Sequence, residues 1–257
     1  MRDRDLVGRH GGFIAEGEVV LRVLARSRRF NARSVLVAER RIGGLTDTLG
    51  DLDARTTVFA ASQPVMDRIT GFHIHRGILA YGERLPERTA DDLLGSISGA
   101  ATVLVLFGVS NHDNIGGVFR NAAAFGASAV LLDAVCCDPL YRKAIRVSVG
   151  AALITPFAWV SDEDDPLALL SRHGFEALAL SPGGLTPLVD LAPPNRAALL
   201  IGSEGDGLST DILRRAPSIR IPMDGGFDSL NLATTSGIVL HHLRQGRRIG
   251  ELEAGTP

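Results

Sequence analysis

Residues 101–107, Ala-Thr-Val-Leu-Val-Leu-Phe, form an unbroken apolar run interrupted only by a threonine. A strand without a polar face must be covered on both sides, the situation of a strand inside a parallel sheet with helices on each face. From there the pattern predicts helices over residues 115–125, 139–147, 166–172 and 210–216, and strands over 129–132, 176–180, 197–201 and 219–221. Gly126 and Gly174 are read as helix stops, Asp165 and Ser209 as helix caps. Periodicity alone leads to an α/β chain with an open parallel sheet. No G-x-G-x-x-G fingerprint accompanies it, which argues against an ordinary dinucleotide site.

Before this region the signals are shorter. One helix is expected across residues 13–29, acidic at its start and basic at its end, with Val20, Val23 and Leu24 buried. Strands at 34–38 and 56–60 and a helix at 63–70 complete a small α/β unit. Residues 85–99, with Pro86, Ser96, Ser98 and Gly99, form a boundary holding a short helix at 90–94. The expected division is 1–95 and 96–257.

Charge separates the two parts. The net charge of −2 combines a basic first part with an acidic second one. Lys143 is the single lysine among 27 basic residues, so arginine usage by itself says nothing of nucleic acid. Cys136 and Cys137 are adjacent, which fits neither a zinc site nor a disulfide framework and favours a reduced, cytoplasmic protein. Seven scattered histidines offer no convincing metal set, so no metal is expected. No apolar run reaches the roughly 18 residues of a membrane span, and no cleaved leader is expected.

Three polar, glycine-rich stretches follow strands, and each alone reads as a turn with a capped helix. They are Asn111-His-Asp-Asn-Ile-Gly-Gly-Val-Phe-Arg-Asn121, Ile201-Gly-Ser-Glu-Gly-Asp-Gly-Leu-Ser209, and residues 219–243, which run from Ile219-Arg-Ile-Pro222 through Ser229-Leu-Asn231 to Leu243. In the third, Pro222 ends a strand, Gly225 and Gly226 permit a tight loop, and Asp228 or Ser229 caps the next helix. Asn114 and Arg120 lie six residues apart. This spacing lets Asn114 stay in the entry loop and Arg120 sit in the first helical turns, both facing one cleft.

Together and in this order, the three stretches resemble the motifs of the SpoU (TrmH-like) branch of the SPOUT superfamily, RNA ribose 2′-O-methyltransferases. The resemblance covers residues 101–243 closely and the first third more loosely. It implies a SPOUT domain with a deep trefoil knot, a topology that patterning could not have proposed. It also implies an N-terminal substrate-binding domain, S-adenosylmethionine as cofactor, an RNA substrate with ribosomal RNA favoured over transfer RNA, and a homodimer through the C-terminal domain. By the same resemblance Leu180, Gly202, Ile221 and Leu230 hold the cofactor, while Asn114, Arg120, Glu204, Ser229 and Asn231 form the catalytic set. Guanidinium is not normally deprotonated in proteins, so Arg120 is read as a phosphate clamp that organises the proton acceptor, with a base role left open. Arg142, Lys143 and Arg146 form a basic cluster suited to RNA phosphates or to a solvated helix face. The alternative function is a non-catalytic RNA-binding or ribosome-associated protein that keeps the fold. Residues 232–237, Leu-Ala-Thr-Thr-Ser-Gly, depart from the family's more common Val-Ser-Val-Ala-Ala-Gly, so helix packing there is expected to differ.

Overall fold

A computed structural model describes residue 7 and residues 11–71, 73–86, 88–226 and 229–254, with side chains described as far as 246. The chain divides into two compact units. The first takes residues up to 87 together with Asp138–Ile154, and the second takes Arg88–Cys137 and everything from Thr155 onward. The boundary therefore lies before the helix at Ala90–Gly95, not after it. Residues 138–154, assigned by sequence to the later domain, belong with the first unit.

In the first unit β1 (Gly12–Glu16), β2 (Phe30–Ala38), β3 (Thr57–Ala61) and β4 (Ile78–Arg84) make a sheet in the order β1-β4-β2-β3. The β2–β3 pair is parallel and the other two pairs are antiparallel. The single helix expected over 13–29 is instead β1 followed by α1 (Glu18–Ala25). Gly17, at φ 94°, turns the chain between them. Pairing of β1 along β4 and burial of Phe13 against Phe30, ring centroids 5.3 Å apart, override the helical charge pattern. Further helices are α2 (Thr46–Gly50) and α3 (Gln63–Thr70).

The second unit contains a seven-stranded sheet in the order β7-β6-β5-β10-β8-β11-β9, every pair parallel. Its strands are β5 (Ala101–Leu106), β6 (Ala129–Leu132), β7 (Phe157–Trp159), β8 (Glu176–Leu180), β9 (Thr186–Pro187), β10 (Arg196–Ile201) and β11 (Ser218–Arg220). Every residue of β5 and β6 is buried, which is why their sequence carries no polar face. Burying each Leu or Val of β5 contributes roughly 1.5–3 kcal/mol. The helices of this unit are α4 (Ala90–Gly95), α5 (His112–Phe125), α7 (Pro166–Arg172), α8 (Thr210–Arg215) and α9 (Leu232–Ala254), while α6 (Arg142–Val147) lies in the first unit. Asp165 and Ser209 cap α7 and α8 as their positions suggest. Strands β4, β7 and β9 were assigned no element from the sequence; β7 and β9 are only three and two residues long.

Candidate active site

The loops leaving β10, β11 and the front of α5 meet at the carboxyl ends of the parallel strands, where open α/β sheets place their ligands. After β10, Gly202 lies so close to the returning chain that a Cβ there would fall 2.1 Å from the Gly207 carbonyl carbon. Only glycine fits. The loop closes through a Ser203–Gly207 bridge, with the Gly207 amide donating to the Ser203 carbonyl at 3.2 Å. A cavity of about 420 Å³ opens beside it. Leu180, Gly202, Ile221 and Leu230, expected to hold a cofactor, all line this cavity, and so do Glu204 and Ser229 of the expected catalytic set.

Asn231 is the hub of the cluster. Its side-chain nitrogen donates to Asn114 Oδ1 at 3.0 Å and reaches Glu204 Oε1 at 3.4 Å. Its Oδ1 accepts from the amides of Ala233 at 3.0 Å and Thr234 at 3.3 Å, so Asn231 caps α9. The cap expected from Ser229 is thus supplied two residues later, and the alternative Asp228 lies outside the described residues. One asparagine joins all three polar stretches because its amide has both a donor and an acceptor end.

Asn114 is buried and lies within α5, which starts at His112 with Asn111 as its cap. The entry-loop position expected for it does not hold. Arg120, on the same helix, is about 120° around the axis from Asn114. It is exposed and makes no hydrogen bond or ion pair among the described residues. The structure therefore links Asn114, Glu204 and Asn231 directly, puts Ser229 on the cavity wall, and leaves Arg120 exposed and outside that lining, so the shared cleft expected for Asn114 and Arg120 does not hold. Arg142, Lys143 and Arg146 are on α6, in the first unit, where Arg146 lines a cavity.

The altered run after Asn231 has a packing role. A Cβ on Gly117 would lie 2.4 Å from the Ala233 Cβ, so these two small residues let α5 and α9 touch. Asn121 fixes the contact by donating to the Ala233 carbonyl at 2.5 Å and to Ser236 Oγ at 3.0 Å. Ser236 is fully buried, and its hydroxyl also donates to the Ala233 carbonyl. Sequence reasoning missed Arg220, which donates through Nη1 to the carbonyls of Gly184 at 2.6 Å and Leu185 at 2.8 Å. It pins the loop whose Ser181 and Pro182 form another cavity wall. An arginine closing a strand at the start of the third stretch was the available signal. Among the described residues, no group of three or more His, Cys, Asp or Glu is arranged to hold a metal ion.

Residues 101–241 match the model of the SpoU rRNA Methylase family, more than half of the chain. The chain belongs to that family. It is 40% identical over 243 residues to an uncharacterized tRNA/rRNA methyltransferase of Mycobacterium bovis, covering 92% of this chain and 82% of that protein. Its fold is similar to that of an AdoMet-bound rRNA methyltransferase from Sinorhizobium meliloti, with a TM-score of 0.80, 24% identity, and coverage of 95% of this chain and 92% of that one. A structure titled RNA 2′-O ribose methyltransferase matches with a TM-score of 0.76 at 26% identity, covering 95% and 92%. The family's α/β fold with a parallel sheet is the fold of this chain. No helix among the described residues is long and apolar enough to cross a membrane.

Proposed function

We infer that this SpoU-family protein transfers a methyl group from S-adenosylmethionine to a ribose 2′-hydroxyl of RNA, with ribosomal RNA as the favoured substrate. The observation that carries this reading is the convergence of Asn114, Glu204 and Asn231 at the rim of a backbone-lined cavity. The cavity fits the donor: Leu180, Ile221 and Leu230 offer apolar walls, and Gly202 keeps side chains away from the loop amides and carbonyls. Family membership, the tRNA/rRNA methyltransferase relative of M. bovis and the RNA 2′-O ribose methyltransferase among the structural neighbours support the substrate class.

When bound, S-adenosylmethionine supplies a methyl carbon already activated by a sulfonium, so displacement needs orientation and proton removal, and no metal. Asn231 holds the loops together and offers its amide at the cavity rim. Ser229 bounds the ribose side. Arg120, fixed at its root by the buried face of α5 and free at its head, clamps a phosphate next to the target nucleotide and organises the acceptor of the hydroxyl proton.

The first unit binds the RNA. The chain acts in the cytoplasm as a homodimer through its second unit, where Leu185, Val189 and Ile238 expose apolar surface. The segment carrying Ile221 and Asn231 is threaded as a trefoil knot, a reading supported by β11 lying between the earlier strands β8 and β9. The test is incubation with isotopically labelled S-adenosylmethionine and unmodified ribosomal or transfer RNA transcripts, followed by digestion to nucleosides. A labelled 2′-O-methylnucleoside from ribosomal RNA is expected. Label on a base, or none on any RNA, would sink the reading.

A further inference from the structure

A second recognition site lies wholly in the first unit. A cleft of about 710 Å³ is walled by Arg40, Arg41, Arg76 and Arg146, with His75 beside them and Glu18 as its one carboxylate. Three separate parts of the chain deliver these arginines: the turn Glu39–Gly44 after β2, the loop before β4, and α6. Arginines of like charge gathered in one cleft repel one another, and such a cluster needs a counter-charge.

Among the described residues the protein supplies little of it. Glu18 is shared between Arg22 at 2.9 Å and Arg41 at 3.0 Å, while Arg40 bonds the neutral Gln63 at 3.0 Å. His75 stacks edge-on to His73, whose Nδ1 pairs with Asp67 at 2.8 Å, so that carboxylate is engaged outside the cleft. Arg76 and Arg146 have no hydrogen bond or ion pair among the described residues. Both are exposed.

Two backbone features point the same way. Gly17 gives α1 no side-chain cap, and the first helical bond runs from the Leu21 amide to the Gly17 carbonyl, so the amides of Glu18, Val19 and Val20 precede it. Those three residues line the cleft, adding the positive end of a helix dipole. Arg76 crosses over Gly17, its Cδ 2.8 Å from where a Cβ would stand. Val149, also in the wall, has φ 55°, a left-handed conformation that costs a β-branched residue roughly 1–3 kcal/mol. It follows directly on the turn that ends α6 and carries Arg146.

We propose that this cleft binds the phosphodiester backbone of the substrate RNA, with Arg76 and Arg146 as its principal phosphate contacts. This rests on the RNA reading above and gives it a location in the first unit. Exposed arginines delivered by three segments suit a polymer that runs through an open cleft, whereas a small free anion is held by buried donors. Arginine serves here because its planar fork meets phosphate oxygens in pairs.

The test is fluorescence anisotropy with a labelled single-stranded RNA 25-mer of arbitrary sequence, titrated at several salt concentrations. The proteins are wild type, the double variant Arg76→Gln/Arg146→Gln, and Arg55→Gln. Arg55 is exposed and already bound by Asp53, so it controls for net charge. Losing two phosphate contacts should flatten the log–log salt slope by about 1.4 and weaken binding about 25-fold at 0.1 M salt. Arg55→Gln should stay within about twofold of wild type. Arg76→Lys and Arg146→Lys should recover most of the slope, which a purely structural arginine would not. Inorganic pyrophosphate competing at low micromolar concentration would replace the polymer site with a small-anion site and overturn the proposal. So would an unchanged slope in the double variant, or equal loss in Arg55→Gln. Should the double variant melt below the assay temperature, the single Gln and Lys variants give the same comparison. Methyl transfer with an unchanged slope sinks the cleft alone, and a flattened slope without any methyl transfer sinks the enzyme reading alone.

Discussion

Two cavities of this chain are built from opposite materials. Around Gly202 the wall is glycine-rich backbone, aliphatic side chains, hydroxyls and the carboxylates of Glu204 and Asp206, and Asn231 ties Glu204 and Asn114 together with hydrogen bonds of 3.0 to 3.4 Å. The first-unit cleft is walled by long arginine side chains, two of them untethered among the described residues. Preorganised dipoles suit one compact ligand held in one pose, since no ordering cost remains when it binds. Mobile charges suit a polyanion read by its phosphates, where many poses are acceptable and salt sets the affinity. On the proposed function, the difference separates chemistry from capture.

Arg120 gives the largest expected effect because the proposed reaction relies on it to clamp phosphate and organise the proton acceptor. Arg120→Ala should lower single-turnover methyl transfer roughly 100- to 1,000-fold while donor affinity and melting temperature stay near wild type. Arg120→Lys should recover little, because it lacks the two-pronged donor geometry. Wild-type rates in Arg120→Ala would remove Arg120 from the reaction, and a parallel loss of folding would make it structural.

Gly202→Ala comes next and breaks the rigid side alone. The added methyl collides with Gly207 backbone, which cannot swing aside as a side-chain end could. Donor affinity should fall at least about tenfold and stability by about 1–3 kcal/mol, while RNA affinity is unchanged. Equal weakening of RNA binding would merge the two sites into one.

How far the sequence foretold this contrast differs between the two sites. Unbroken apolar strands such as residues 101–106 and capping pairs such as Asp165 with Leu167 are local patterns, and both were read correctly. The polar stretches were also recognisable, but their wiring was not. That Asn231 bonds Asn114 depends on a contact across 117 positions, which no local spacing reveals, whereas its cap on α9 is local and was assigned to residues slightly too early in the chain. The arginine cleft was less visible still, because Arg40, Arg76 and Arg146 are far apart in sequence, and residues 138–154 join the first unit only through tertiary contacts. Among these, the ion pair of Arg84 with Asp138 links β4 to that segment. The strand β1 was misread because its charge gradient favours a helix, whereas its pairing with β4 is nonlocal.

Asn231→Ala sharpens the contrast at smaller scale. It removes the α9 cap together with the bridge to Asn114, and should cost about 1–2 kcal/mol of stability and several-fold in transfer rate. Asn231→Asp keeps the cap acceptor but loses the donor and sits beside Glu204, so it should restore melting temperature more than activity. Restoration of both would mean that Asn231 acts only as a cap.

The smallest effect concerns the fold that supports the rigid site. Asp91 on α4 is held below the ordinary carboxylate value, first by its hydrogen bond to His173 and then by Arg172. Its contribution is therefore present above the unfolded value near 3.8 and is lost as pH falls through the lower folded one. Asp91→Asn should melt slightly lower than wild type at neutral pH, with the gap closing in acid. A gap that widens as pH falls would reverse the assignment.

The separation of donor binding from RNA capture is tested most directly by calorimetric titration of S-adenosylmethionine into wild type, Gly202→Ala and Arg76→Gln/Arg146→Gln in the presence of a chelator. Wild type and the double arginine variant should give the same isotherm, and Gly202→Ala a weakened or absent one. Loss of binding in the arginine variant, or an isotherm that disappears only when chelator is added, would contradict a metal-independent donor site confined to the second unit.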